Sequence, residues 1–298
     1  MVLIAPTKRL CLALGVVTLW ASCEPDGSWV DKLLAQTVTP QESSTGADGR
    51  DVADPSESKK TQEESQEVRE WTQWYYDGPS DSRSRTKAAR KAKDGTVKNL
   101  FAKAGVDYPP SDLVIVGYKQ EEELEVWASS TSKEPLKRIA TYGVCAASGA
   151  LGPKRRQGDY QVPEGFYTID LYNPRSRFYL SMRISYPNKA DRILGHRRAG
   201  SAIMIHGNCA SIGCIAITDE RIQELWVMTE DFREQRGKKV VQAYMFPSRE
   251  LDSLLDDPKW EKHHTFWQNL KEGRDRFMKT HRPLRYRIDR AGKYVFRD

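Results

Sequence analysis

The sequence predicts a mainly β domain with flanking helices, an α+β fold, in the part of the chain from about residue 111 onward. Eight short apolar runs follow one another there, with turn residues between them, which is typical of strands. Two longer stretches repeat apolar residues with the helical period. At 298 residues the chain can bury an adequate core without disulfide bonds.

The predicted elements follow in chain order. A basic stretch, RSRTKAARKAKDGTVKNLFAKAG, is predicted as a helix with Val97, Leu100, Phe101 and Ala104 on one side and a solvated basic face on the other. The predicted strands are DLVIVGYK, LEVWASS, KRIATYGVCAAS, EGFYTIDLYN, RFYLSMRISY, AIMIHG, GCIAIT and KKVVQAYMF. The stretch TDERIQELWVMTEDF predicts a helix directly after the seventh strand, and WEKHHTFWQNLKEGRDRFMKTH predicts another near the end of the chain.

Residues 1–23 are typical of a secretory signal peptide. Two basic residues precede an apolar run over 10–20, which is too short to span a bilayer, and small residues precede Cys23. This ending resembles a bacterial lipobox, which implies lipidation of Cys23; ordinary cleavage and a retained anchor are the alternatives. We therefore expect an exported, periplasmic lipoprotein tethered to a membrane, and Glu24 after the cysteine favours the outer one.

Charge is distributed unevenly along the chain. Residues 24–70 hold 12 acidic and 5 basic side chains and few apolar ones, so they predict a disordered linker over 24–80. The whole chain carries +6, so the remainder is strongly basic and favours an anionic partner. Cell-wall peptides fit an exported protein better than a nucleic acid. Beyond the linker the prediction is a basic helical lead-in (81–110), a catalytic domain (111–250) and a helical extension packed on that domain (251–298).

The densest chemistry lies in IMIHGNCASIGCIAITDE, residues 203–220. His206 ends one apolar run and Cys214 opens the next, so a tight loop can bring the two side chains together. An imidazole that takes the thiol proton makes the thiol an effective nucleophile, which predicts cysteine-based acyl transfer. The predicted catalytic residues are thus Cys214 and His206. Supporting or oxyanion roles are predicted for Gly207, Ser211, Ile212 and Gly213.

Other interpretations of the same residues remain open at this point. His206, Cys209 and Cys214 could bind zinc, although paired CxxC spacing is absent; the prediction is that no metal or other cofactor is needed. Cys214 and His206 could also be buried structural residues. Cys145 is predicted to lie in a core strand, and Cys209 either packs in the loop or forms a disulfide with Cys214 that silences the site. An odd number of cysteines beyond residue 23 leaves at least one thiol unpaired within the chain.

The stretch HGNCASIGC resembles the signature of the L,D-transpeptidase catalytic domain (YkuD-type) family, in which HG is followed by S-x-G-C. The upstream GPKRRQGDYQVPEGFYTIDLYNP resembles a second family segment, at Gly158, Pro163, Gly165 and Phe166. The similarity runs over about 113–246 and is strongest to the YafK-like branch of murein transpeptidase relatives. It implies an L,D-transpeptidase-like β-sandwich with a helix after the catalytic loop.

The resemblance also implies an activity. Cys214 would form a thioester with a peptidoglycan stem peptide and pass it to an amine acceptor, such as a second stem peptide or a wall-attached lipoprotein. A hydrolase that cuts the same amide, or a protein-to-peptidoglycan amide, is one alternative, and a non-catalytic wall-binding protein is another. Many family members carry arginine where this chain has Ala216, and Lys154, Arg155, Arg156, Arg197 and Arg198 could supply the missing positive charge. Many also carry a further histidine upstream of the HG pair, for which His196 is the candidate here. The candidate substrate-binding residues are therefore Arg155, Arg156, His196 and Arg197.

Overall fold

A computed structural model of the protein describes residues 82–235 and 240–297. The predicted signal peptide, Cys23 and the linker over 24–80 lie outside these residues. In the part of the chain that the structure describes, no helix is both long enough and apolar enough to cross a membrane. The helices are α1 Ser82–Ala104, α2 Lys189–Leu194, α3 Thr218–Gln235, α4 Leu251–Asp256 and α5 Glu261–Thr280, with a 3-10 turn at Pro258–Trp260. The strands are β1 Asp112–Tyr118, β2 Glu123–Ser129, β3 Lys137–Gly143, β4 Gly165–Asn173, β5 Ser181–Ile184, β6 Met204–His206, β7 Ile215–Ala216, β8 Gln242–Phe246, β9 Arg285–Ile288 and β10 Tyr294–Arg297.

Eight strands form one mixed sheet in the order β3-β2-β1-β8-β4-β5-β6-β7. Strand β4 pairs with β8 through residues 165–168 and with β5 through residues 169–173, and the register shifts between Ile169 and Leu171. The shift lets one strand serve both halves of the sheet. The predicted fold class, mainly β with flanking helices and a helix after the catalytic loop, is confirmed.

The central strands are buried on both faces because helices cover each side of the sheet. Along β1, Ile115 belongs to a core shared with α1 and α3, whereas Val114 and Val116 belong to a second core shared with α5, β9 and β10. Alternation of side chains along the strand produces this division. Strand β8 pairs in parallel with β1, although the two strands are far apart in sequence.

Helix α1 is basic but does not leave all its charge to solvent. Its apolar side buries Phe101 completely, as the sequence predicts. On its other side Arg90 lies 2.8 Å from Glu230, and Lys93 lies 3.2 Å from Glu224. The predicted solvated face is therefore wrong in part, because α3 presents carboxylates to it.

The C-terminal part of the chain is not helical throughout, contrary to the prediction for residues 251–298. After α5, strands β9 and β10 form an antiparallel hairpin. Tyr294 and Phe296, two positions apart, are both buried, as alternation along a strand requires. In the turn, Asp289 accepts hydrogen bonds from two backbone amides and Gly292 has a φ of +82°. Both features favour a hairpin turn over a continuing helix.

Candidate active site

The candidate catalytic loop, residues 207–214, joins two neighbouring parallel strands. Such strands usually need a longer crossover, and here only eight residues connect β6 to β7. The chain turns sharply through left-handed backbone at Asn208, with a φ of +61°, and at Gly213, with a φ of +124°. His206 pairs with Ala216 in the register. Cys214 is the last residue of the loop, and its Sγ lies 3.4 Å from the backbone nitrogen of Met204, two residues before His206 on β6.

His206 is almost completely buried, with 1% of its surface exposed. Its Nδ1 lies 2.5 Å from the carbonyl oxygen of Gly207, and the ring packs on Phe178 with centroids 4.6 Å apart. A carbonyl only accepts, so Nδ1 carries the proton and Nε2 carries a lone pair. Nε2 is buried and has no hydrogen-bond partner among the described residues. Burial lowers the pKa of His206, although the Gly207 carbonyl opposes this, so the ring is a neutral base.

Cys214 is a free, half-buried thiol one residue before β7. Its Sγ accepts a hydrogen bond from the Met204 amide at 3.4 Å and donates to the Ala202 carbonyl at 3.8 Å. Burial raises the pKa of this thiol, whereas the Met204 amide and the charge of Lys154 lower it. Because the pKa of Cys214 is raised and the pKa of His206 is lowered, both the thiol and the imidazole are uncharged near neutral pH.

The predicted supporting residues act on the loop in different ways. The hydroxyl of Ser211 donates to the Cys214 carbonyl at 2.7 Å and accepts from the Gly213 amide at 3.2 Å. These two hydrogen bonds fix the backbone on both sides of the Gly213–Cys214 peptide. The Gly213 amide is thereby occupied, which leaves the amides of Ile212 and Cys214 as oxyanion candidates.

Sequence reasoning missed Asp219, which holds the other end of the loop. Its Oδ1 accepts a hydrogen bond from the Asn208 amide at 2.7 Å. Burial raises the pKa of Asp219, and the hydrogen bond from Asn208 lowers it. The sequence did offer one indication of Asp219, because it is an acidic residue in the first turn of the helix that follows the loop, and helix N-termini favour carboxylates.

Gly207 lies where no larger residue fits, which gives a prediction for Gly207→Ala. A Cβ there would lie 2.4 Å from Asp219 Oδ1 and 3.0 Å from the Phe178 carbonyl oxygen. We expect Gly207→Ala to lower the free energy of unfolding by about 1–3 kcal/mol, because side chain and backbone must both shift. Urea unfolding followed by circular dichroism measures the change.

Gly95→Ala is the matched control. A Cβ at Gly95, within α1, meets nothing within 4 Å. This substitution should raise the free energy of unfolding by about 0.5–1 kcal/mol, since alanine favours helix. Equal effects of the two substitutions would show that the space around Gly207 is not limiting.

Cys145 and Cys209 form a disulfide, with Cα atoms 5.4 Å apart. The predictions for both residues are therefore wrong: both are exposed, Cys145 is not a core residue, and Cys209 is paired with Cys145 instead of packing or pairing with Cys214. The chain around Cys145 also pairs with β7, through a bridge between Ala146 and Ala216. The bond removes Cys209 from the alternative zinc set, and residues 82–235 and 240–297 contain no group of three or more His, Cys, Asp or Glu side chains able to hold a metal ion.

The four candidate substrate-binding residues differ in their surroundings, and their role stays a prediction. Arg155 lies 3.8 Å from Asp191, and its guanidinium carbon is 4.5 Å from the centre of the Phe266 ring. The side chains of Arg156, His196 and Arg197 are exposed.

The free thiol of Cys214 and the buried imidazole of His206 lie at the two ends of one short loop between neighbouring strands, which makes them a candidate cysteine–histidine site. Residues 112–241 match the family model of the L,D-transpeptidase catalytic domain (YkuD). A curated relative from Escherichia coli K12, provisionally named L,D-transpeptidase YafK, is 35% identical over 187 residues, which cover 62% of this chain and 74% of the relative. The chain therefore belongs to the L,D-transpeptidase catalytic-domain family.

Solved structures also align with part of the chain. The helical cell shape determining protein Pgp2 from Campylobacter jejuni is 16% identical, with a TM-score of 0.37; the match covers 64% of this chain and 80% of Pgp2. L,D-transpeptidase 1 from Mycobacterium tuberculosis is 15% identical, with a TM-score of 0.25, over 45% of this chain and 61% of its own.

Proposed function

We propose that the protein is a cell-wall L,D-transpeptidase that uses Cys214 as its nucleophile and peptidoglycan stem peptides as donors. One observation carries the proposal. A free thiol accepts a hydrogen bond from the Met204 amide on β6, and two residues further along β6 lies a buried imidazole whose Nε2 lone pair has no partner in the described part of the chain. A structural histidine would have its buried nitrogen satisfied, whereas a general base needs a free lone pair.

The first step forms a thioester. His206 Nε2 takes the proton of the Cys214 thiol as sulfur attacks the carbonyl carbon of the amide between the L-centre of diaminopimelate and the terminal D-alanine. The C–N bond then breaks, and the imidazolium returns the proton to the departing amine of D-alanine. The Gly207 carbonyl stabilises the imidazolium during this step, because it accepts from Nδ1–H.

The second step transfers the acyl group. An amine of another stem peptide, or of a wall-attached lipoprotein, attacks the thioester; His206 removes a proton from it and sulfur leaves as the Cys214 thiol. With water as the acceptor the same steps give a hydrolase. The two hydrogen bonds of the Ser211 hydroxyl keep the Gly213–Cys214 peptide in one orientation through both steps. The Cys214 amide can therefore donate to the oxyanion in each step.

The proposed base gives a pH prediction. Only the neutral ring of His206 can take the thiol proton, and the ring becomes protonated as the pH falls through its pKa. Burial lowers this pKa below its ordinary value of 6.5. We expect the acid limb of kcat/KM to have its midpoint below pH 6.5. Initial rates between about pH 4.5 and 8 measure it, and a midpoint above pH 7 would contradict the proposed role of His206.

The proposal extends to where the protein acts. Export by the signal at 1–23, lipidation at Cys23 and a flexible linker over 24–80 would let the domain reach the wall from a membrane. Labelling cells with a radioactive fatty acid tests the anchor: label on the wild type and none on Cys23→Ala supports it, and no label on either removes it.

The function is tested by incubating the protein with purified disaccharide-tetrapeptides and a free D-amino acid, with products read by mass spectrometry. Cross-linked dimers or exchange of the terminal D-alanine support a transpeptidase. Shortened peptides alone would make the enzyme a hydrolase. Absence of any product that depends on Cys214 would overturn the proposal in favour of a wall-binding protein.

A further inference from the structure

Phe178 lies directly against the imidazole of the proposed base. The centres of the Phe178 and His206 rings are 4.6 Å apart, and the two ring planes are inclined by 30°. His206 is buried, whereas Phe178 is only half-buried, so the phenyl ring shields one face of the imidazole from water. Two aromatic rings in such contact also restrict each other's rotation.

The turn that carries Phe178 is fixed from inside and from two helices. It joins β4 to β5, and within it the Phe178 amide donates to Ser176 Oγ at 3.0 Å. Arg85 on α1 donates from Nη1 to the carbonyl oxygens of Ser176 at 2.7 Å and Tyr179 at 2.8 Å. Gln223 on α3 donates to the Tyr179 hydroxyl at 2.7 Å. The Phe178 ring is therefore attached to backbone that is held on both sides.

The same turn contacts the backbone that follows His206. The Gly207 amide donates to the Leu180 carbonyl at 3.1 Å, and a Cβ on Gly207 would lie 3.0 Å from the Phe178 carbonyl oxygen. The Gly207 carbonyl in turn accepts from Nδ1 of His206. The turn thus contacts the imidazole through the phenyl ring, and it also contacts the residue whose carbonyl selects the tautomer of that imidazole.

The uncharged state of His206 follows from its burial. Loss of hydration lowers the pKa of His206, and the Gly207 carbonyl acts against this effect. The charged groups on the neighbouring helices are Asp219 on α3 and Arg85 on α1, and the charge of Arg85 lowers the pKa of Asp219. An apolar ring that excludes water is therefore the kind of neighbour that keeps the imidazole neutral.

The geometry points to Phe178 as a positioning residue that acts through His206: its ring holds the imidazole with Nδ1 on the Gly207 carbonyl and leaves Nε2 free for the thiol proton. Rotation of a histidine ring about χ2 is only weakly restricted by the side chain itself, so packing must fix it. The inference rests on the proposed role of His206 as the base. Phe178 touches neither the donor peptide nor the acceptor in it.

The test is an NMR titration of the imidazole nitrogens of His206, in the full chain and without any cell-wall substrate. The chain has five histidines, and the His206 signals are those that His206→Gln lacks. In the neutral ring of the wild type we expect Nδ1 to be protonated and Nε2 unprotonated. Phe178→Ala should give a mixture of the two tautomers and a pKa that rises towards the ordinary 6.5, because water reaches the ring and the ring can rotate.

Three further variants separate the role of the ring from a general effect of packing. Phe178→Tyr retains the ring and should keep the tautomer and the pKa of His206 in the wild type. Phe266→Ala removes another half-buried phenylalanine, one that packs on Arg155, and should leave the His206 signals unchanged. Arg85→Met removes two hydrogen bonds that hold the turn, so it should change them in the same direction as Phe178→Ala.

Kinetics give a second readout. Phe178→Ala should lower kcat for D-amino-acid exchange by about 10- to 100-fold and leave KM for the donor within about twofold, because the base is misplaced while donor binding is intact. Phe178→Leu replaces Phe178→Ala if the latter fails to fold by circular dichroism. A folded variant that keeps the wild-type tautomer and pKa of His206, or one that raises KM alone, would overturn the inference. Failure of the proposed function would be seen separately, as wild-type protein that forms no Cys214-dependent product.

Discussion

Cys214→Ser is expected to reduce the rate of D-amino-acid exchange at least about 10⁴-fold and to leave the fold intact. A serine hydroxyl is a much weaker nucleophile than a thiol and gives up its proton less readily to a neutral imidazole. The fold should survive because the side chain contributes only two weak sulfur hydrogen bonds, at 3.4 and 3.8 Å. Exchange rates from mass spectrometry and urea unfolding of the same preparations measure both effects.

Lys91→Met serves as the control for preparation and assay, since that side chain lies exposed on α1, and it should retain the wild-type rate. Residual exchange within tenfold of the wild type in Cys214→Ser would show that another group attacks the donor. Loss of exchange together with a large loss of stability would instead make Cys214 a packing residue.

Removing the disulfide between Cys145 and Cys209 is expected to have the largest effect on stability. The bond closes a loop over a sequence separation of 64 residues. Loss of that constraint on the unfolded chain should lower the free energy of unfolding by about 4 kcal/mol in the Cys145→Ser/Cys209→Ser variant. Urea unfolding in oxidising buffer, followed by circular dichroism, measures the difference.

Reduced wild-type protein is the matched control for the disulfide. Dithiothreitol should bring the wild type to the stability of the double variant and should leave the double variant unchanged. Activity should fall in both, because Cys209 lies inside the candidate catalytic loop and Cys145 adjoins the segment that pairs with β7. Equal unfolding of the oxidised and reduced wild type would show that the bond does not constrain the chain.

Local pattern was sufficient to predict the two strands that carry the site. Four apolar or small residues before His206 predicted the end of a strand, and the apolar run after Cys214 predicted the beginning of the next. The helix after the loop followed from its periodic apolar residues, which are buried. These features depend on residues close together in sequence, so periodicity reports them.

The features that the sequence did not predict depend on long-range placement. The partner of Cys209 lies 64 residues away, and the number of cysteines alone does not choose it. Lys154 could not be distinguished from its arginine neighbours, because only the folded connection shows that it is buried and that Arg155 turns towards Asp191. The hairpin after α5 was predictable from alternation of Tyr294 and Phe296, but the long helical pattern before it dominated.

The most direct test of the account is to detect the thioester on Cys214. The wild-type protein is mixed with a tetrapeptide donor in the absence of an acceptor amine, quenched in acid and measured as an intact protein by mass spectrometry, with peptide mapping of any adduct. The account predicts a mass increase equal to the donor minus D-alanine, located on Cys214 and absent from Cys214→Ala. Product formation with no adduct on Cys214, or an adduct on another residue, would contradict it.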